Sequence, residues 1–110
     1  MQTVLSSKIP HIEILCKKYK IKRLWAFGSV LRKDFHKESD LDLLYELDHD
    51  GLMGREHLDL FFGFLDSMRE LFKREIDTVW YPGIKNPYFK EEIDETKVLL
   101  YDKNREKVSV

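Results

Sequence analysis

The chain has 110 residues, a formal net charge of −1, and 43% hydrophobic against 35% charged residues. That length suits one compact domain spanning 1–110, and the composition excludes a disordered chain. The near-zero charge gives no strong nucleic-acid signal, the lone Cys16 excludes an internal disulfide or a cysteine-based zinc site, and no apolar run reaches the roughly 20 residues that span a bilayer. The first residues, Met1 to Lys8, lack a charged-then-apolar signal pattern, so the expected location is cytoplasmic with no membrane contact.

Leu5, Ile9, Ile12, Leu15, Cys16 and Tyr19 recur at helical spacing, with Ser7 as an expected N-cap and Pro10 in the first turn. Cys16 lies on the apolar face and reads as inert core. Ile21 to Phe27 reads as a strand that stops at Gly28. Ser29 to Arg32 reads as a short helix, Lys33 to Ser39 as a polar loop, and Leu41 to Leu47 as a second strand. Asp48 to Glu56, with Gly51 and Gly54, reads as a loop. Leu58, Phe61, Phe62, Leu65, Met68 and Phe72 then mark an amphipathic helix from about residue 56 to 73. Ile76 to Trp80 is a third strand and Pro82-Gly83 a turn. Asn86-Pro87 pairs an N-cap with Pro at the first helical position, opening a helix through about Glu95. Val98 to Tyr101 is either a last strand or the end of that helix, and 102–110 is a charged tail expected to fray. The order predicts an α/β (α+β) domain: a small mixed sheet flanked by helices.

The chemistry concentrates in two places. Residues i and i+2 of a strand share a face, about 6.6 Å apart, so Asp40 and Asp42 project together while Leu41 and Leu43 face the core. An Asp-x-Asp pair without nearby His or Cys suits Mg²⁺ better than zinc, and such a pair can bridge two metals. Alone, the tripeptide is common and reads first as solvated acids at a strand edge. Asp77 lies inside the third strand, where a carboxylate is unusual unless paired, coordinated or at an edge. Beside the Asp40–Asp42 strand it completes an acidic triad, with the work of holding a metal and accepting a proton from an attacking hydroxyl. Glu75 shares its side of the strand, but at the strand start it is expected to be solvent-exposed.

Gly28-Ser29 sits between a strand and a predicted helix start. Glycine lets backbone approach a ligand, and a helix start offers free N–H groups to phosphate. Arg32 and Lys33 follow and read either as neutralisers of triphosphate charge or as a solvated helix end. Gly-Ser is weak alone, but with Asp40 and Asp42 at this spacing a chance match is roughly one in a thousand at average residue frequencies.

Phe27-Gly28-Ser29, Asp40-Leu41-Asp42 and Asp77 together resemble the signature of the nucleotidyltransferase superfamily that includes DNA polymerase beta, poly(A) polymerases and aminoglycoside nucleotidyltransferases. The resemblance runs from about Ile21 to Tyr101, and the length is similar to that of the minimal nucleotidyltransferases (MNT), specifically their MntA-like antitoxin branch. The resemblance implies a polymerase beta palm-like fold, with Gly28, Ser29 and Arg32 binding nucleotide and Asp40, Asp42 and Asp77 as catalytic and metal-binding residues. It implies Mg²⁺, in a two-metal site, and ATP as substrate. The implied reaction moves AMP to a hydroxyl, with a tyrosine of a HEPN-domain toxin as acceptor. The alternative it leaves is a non-catalytic, nucleotide-binding antitoxin that neutralises its partner by contact. One departure stands out: Lys33 occupies a position where relatives carry glycine, as either a phosphate contact or a residue that reshapes the loop.

The remaining residues have blander readings. His11, His36, His49 and His57 lack metal-type spacing and read as surface. Asp48-His49-Asp50-Gly51 lacks the remaining ligands of a calcium loop. The Phe61, Phe62, Phe64, Leu65 cluster reads as core, as do Trp25 and Trp80. A domain this small has no acceptor-binding domain of its own, so a partner protein or a homo-oligomer is expected to present the acceptor.

Overall fold

The structure is a computed structural model, and it describes residues 3–28, 40–48 and 54–104. Four helices, α1 (Thr3–Ser6), α2 (Ile9–Lys18), α3 (Arg55–Phe72) and α4 (Pro87–Thr96), accompany four strands, β1 (Ile21–Phe27), β2 (Leu41–Leu47), β3 (Ile76–Trp80) and β4 (Val98–Asp102). The sheet order is β3-β2-β1-β4. β1 pairs antiparallel with β2 and β4, while β2 and β3 run parallel. A parallel pair needs a long crossover, and α3 supplies it. The ambiguous stretch from Val98 is therefore a strand.

Alternation along the strands divides the side chains between two unequal faces. One face carries Leu24, Ala26, Leu41, Leu43, Tyr45, Leu47 and Ile76, which join α1, α2 and α3 in the main core. Phe64 and Met68 of α3, Ile12 and Cys16 of α2, and Leu5 of α1 close that layer, all essentially without solvent exposure. Burial pushes the Cys16 thiol up, consistent with inert core rather than a reactive group. The opposite face carries Trp25 and Leu44 under Ile93 of α4, with Phe27, Val79, Tyr81, Ile84 and Leu99 around them. This second layer is much smaller.

α3 contains a glycine in its middle, which costs a helix roughly 1 kcal/mol relative to Ala. The reason is α2: a Cβ on Gly63 would lie 2.5 Å from the Tyr19 ring. That ring packs edge-on against Phe64, and its hydroxyl meets Ser67 Oγ at 3.1 Å. α4 starts where the sequence places it. Asn86 Oδ1 accepts from the N–H groups of Tyr88 and Phe89 at 2.9 and 3.2 Å, with Pro in the first turn.

Four expectations change. The N-terminal helix breaks in two, so the cap of α2 is Lys8 and not Ser7; Lys8 donates its N–H to Leu5 C=O in the intervening turn. Leu58 and Phe62 are about half exposed, because α3 presents its Phe64–Leu65–Met68–Phe72 side to the sheet. Trp80 is 37% exposed, since it ends an edge strand. His57 is half-buried, not a surface residue: its Nε2 lies 3.1 Å from the Tyr45 hydroxyl. Burial pushes the pKa of Tyr45 up to about 12.

Candidate active site

The sheet register brings the acidic residues together. Asp42 of β2 lies opposite Phe27 on β1 and opposite Asp77 on β3. It is thus the centre of a row across three strands. Neighbours in such a row share a face, with Cα atoms about 5 Å apart. Asp42 and Asp77 therefore stand together on the thin face, in the same layer as Trp25, Leu44 and Val79. Asp40 immediately precedes β2 and by alternation leans the same way. Leu41 and Leu43, between and after them, are fully buried in the opposite layer. That anchoring fixes the direction of the aspartates, because a one-residue slip would drive them into the main core.

Solvent reaches the row. Asp40 and Asp77 are exposed and Asp42 is partly buried. α4 crosses the thin face over Trp25 and Leu44 and meets the row at Phe89, whose ring contacts Phe27 edge-on at 6.4 Å. Glu75, one step before β3, is also exposed and is engaged by Arg69 at 3.5 Å. Its exposure is what the sequence reading expected.

Gly28 closes the other side of the site. It has φ +72, the left-handed region that glycine tolerates without cost. A Cβ there would collide with Asp42 Oδ2 and sit 3.3 Å from Cγ. The turn after β1 is thus built against the Asp42 carboxylate, and only a residue without a side chain fits. Ser29, Arg32, Lys33 and His36 lie outside the described residues, as do His49, Asp50 and Gly51. The structure therefore places Gly28, Asp40, Asp42 and Asp77 of the predicted site.

Among the described residues, no three His, Cys, Asp or Glu side chains form a ready-made metal cage. The donors in the row are carboxylate oxygens. That set fits Mg²⁺, which takes one or two carboxylates and completes its shell with waters and substrate phosphates.

A second feature went unread in the sequence. Tyr81, just after β3, packs its ring against Trp25 at 5.1 Å with the planes tilted by 44° and donates its hydroxyl to Asp94 Oδ1 at 2.5 Å. Lys90 and Lys97 also bind Asp94, at 2.9 and 3.0 Å. Both ammonium groups lie over the Tyr81 ring, and Lys97 also lies over Trp25. The Tyr81 hydrogen bond, with the two lysines, holds the Asp94 carboxyl well below the usual carboxylate range. This clamp fixes α4 across the sheet and so fixes Phe89 against Phe27. The i,i+4 spacing of Lys90 and Asp94 was the available signal.

The sequence pattern of the polymerase beta nucleotidyltransferase family matches residues 11–106. Two candidate protein adenylyltransferases of Methanocaldococcus jannaschii are similar to the chain. MJ1379 is 33% identical over 91 residues and MJ0128 is 36% identical over 90, each match covering 82% of this chain and 87% of the relative. Among solved structures, a candidate minimal nucleotidyltransferase superposes with a TM-score of 0.63 at 26% identity, covering 86% of this chain and 90% of that one. A toxin–antitoxin complex with AMP-PNP shares the fold at a TM-score of 0.62 and 13% identity, over 84% and 71% of the two chains.

Proposed function

This chain belongs to the polymerase beta nucleotidyltransferase family, and we propose that it is a Mg²⁺-dependent transferase that moves AMP from ATP to a tyrosine hydroxyl of a partner protein. The observation that carries the reading is the register that sets Asp42 between the Phe27–Gly28 turn and Asp77. The turn that would approach phosphate adjoins the row that holds Asp42 and Asp77, and Asp40 stands two residues before Asp42 at the start of β2.

Asp40 and Asp42 would hold Mg²⁺, in the two-metal arrangement with Asp77. When bound, the ion lowers the charge on the triphosphate and polarises the α-phosphoryl group. Gly28 lets the backbone approach the phosphates, with Ser29 and Arg32 as further nucleotide contacts. Asp77 takes the proton of the attacking hydroxyl, aided by its exposure, which leaves it accessible to an incoming acceptor. Pyrophosphate is the leaving group. The M. jannaschii relatives are named as candidate protein adenylyltransferases, and one structure of the same fold is a toxin–antitoxin complex with AMP-PNP; both support AMP as the moved group and a protein as the acceptor. We place the chain in the antitoxin role, with a HEPN-domain toxin as the partner and the whole chain acting as one domain.

The test is incubation with labelled ATP, Mg²⁺ and the product of the neighbouring gene. Label is expected on a partner tyrosine, lost in the Asp40→Ala, Asp42→Ala double variant. No transfer, or transfer undiminished in that variant, overturns the reading. A double variant that still neutralises the partner fully would favour masking by contact.

A further inference from the structure

Resting on that transfer reading, we propose that the outer edge of β3 is the acceptor site. An extended segment of the partner polypeptide adds there as a further strand and sets its acceptor hydroxyl beside Asp77.

β3 ends the sheet among the described residues, and its hydrogen-bonding groups can be assigned. Leu41 N–H donates to Glu75 C=O at 3.1 Å, so Glu75 aims its backbone at β2. By alternation Asp77 and Val79 do the same, and Ile76, Thr78 and Trp80 aim their N–H and C=O groups outward.

The two edges of the sheet are built differently. β1–β4 pairing shifts register between Leu24 and Trp25, and β4 ends at Asp102, which is tied to Arg23 at 3.4 Å. β3 pairs with β2 over five residues without a shift. Its sequence, IDTVW, holds no Pro and no bulge, and its one charge is Asp77 itself. Edges are ordinarily blunted by such devices. The half-exposed Trp80 ring adds an apolar wall at the end of this edge.

Continuity with the active site identifies the occupant. In an added strand, the residue opposite Asp77 stands on the same face, with Cβ atoms about 4.5–5.5 Å apart. A hydroxyl there meets both Asp77 and the nucleotide held by its neighbours. Its oxygen bonds to the α-phosphorus of ATP, the bond to the bridging oxygen breaks, pyrophosphate leaves, and the hydroxyl proton passes to Asp77. The chain's own nearby phenol, Tyr81, is held by Asp94 and Lys90 and is turned to the α4 clamp. Asp77 also selects: a carboxylate directly opposite it would be repelled, whereas a neutral hydroxyl residue is not.

The experiment uses the whole protein, labelled ATP, Mg²⁺ and a capped heptapeptide, Lys-Thr-Val-Tyr-Val-Thr-Lys. Two N-methylated versions accompany it, one on both valine amides and one on the tyrosine amide. Backbone amides alternate sides along a strand, so pairing predicts that one version loses at least about tenfold in kcat/KM and the other does not. Loss with the valine version means antiparallel addition, and loss with the tyrosine version means parallel. Equal rates for all three peptides, or equal losses in both versions, overturn the edge site. No label on any peptide while MgATP still binds also overturns it, and leaves the transfer reading to the partner-protein assay. Failure to bind MgATP overturns the transfer reading and the edge site with it.

Discussion

The two faces of the sheet do different work. Toward α1, α2 and α3 the strands bury Leu24, Ala26, Leu41, Leu43 and Leu47 in a continuous layer. Toward α4, among the described residues, the buried cluster is Trp25, Leu44 and Ile93, and the same face carries Asp42 and Asp77. The contrast teaches how a small domain keeps charged chemistry on a strand. The thick face supplies the burial that holds register. The thin face can then leave one end of the sheet open to solvent and ligands.

The sharpest way to break this comparison is Asp42→Asn. It removes a charge from the thin face and no contact from the thick one. AMP transfer should fall by about 10³-fold, while far-UV circular dichroism stays native. A comparable loss of folded structure would show that Asp42 is an architectural residue.

Leu43→Ala, one residue away on the other face, should do the reverse. A fully buried Leu reduced to Ala costs about 2–5 kcal/mol, read as a fall in denaturation midpoint. Ile93→Ala under the thin layer should cost less, and Leu58→Ala, on the exposed side of α3, within about 0.5 kcal/mol. An inverted order would mean that α4 carries the core.

Gly28→Ala couples the faces. A left-handed φ costs an L-residue about 1–2 kcal/mol, or several degrees in Tm, and the new Cβ must displace the Asp42 carboxylate. Activity should therefore fall further than stability explains, measured as kcat at a temperature where both proteins are folded.

The smallest effect belongs to the α4 clamp. Asp94 has a lowered folded pKa, so its contribution is present above the ordinary carboxylate range and is lost as pH falls below it. Asp94→Asn should lower Tm slightly near pH 7, and the gap to the parent should close in strong acid. A gap that persists there would assign the effect to packing rather than charge.

Much of this was legible in the chain. Short apolar runs bounded by Gly28 and by acids marked β1 and β2, alternation marked β3, and Asn86-Pro87 marked the start of α4 because its capping chemistry is local. Asp40 and Asp42 could be named from their spacing after Gly28-Ser29, and Asp77 because a carboxylate inside a strand is rare enough to need a reason. The side of α3 facing the sheet was read in part: Phe64, Leu65, Met68 and Phe72 are buried as expected, but Leu58 and Phe62 are not. Leu58, Phe62 and Phe64 are equally apolar, and only packing against Tyr19 and the strands selects Phe64. Trp80 was read as core because the sequence does not say which strand ends the sheet.

The sequence by itself determined most of the elements, the Asn86 cap and the types of group available for chemistry, since propensity, alternation and capping act over a few residues. Only the tertiary structure decided that β2 runs parallel to β3 and in a register that sets Asp42 against Asp77. It likewise decided that Gly28 touches the Asp42 carboxylate and that β3 is an edge. Those relations join residues 14 to 35 positions apart, and they follow from which buried surfaces fit together, a property of the whole packed chain rather than of any segment.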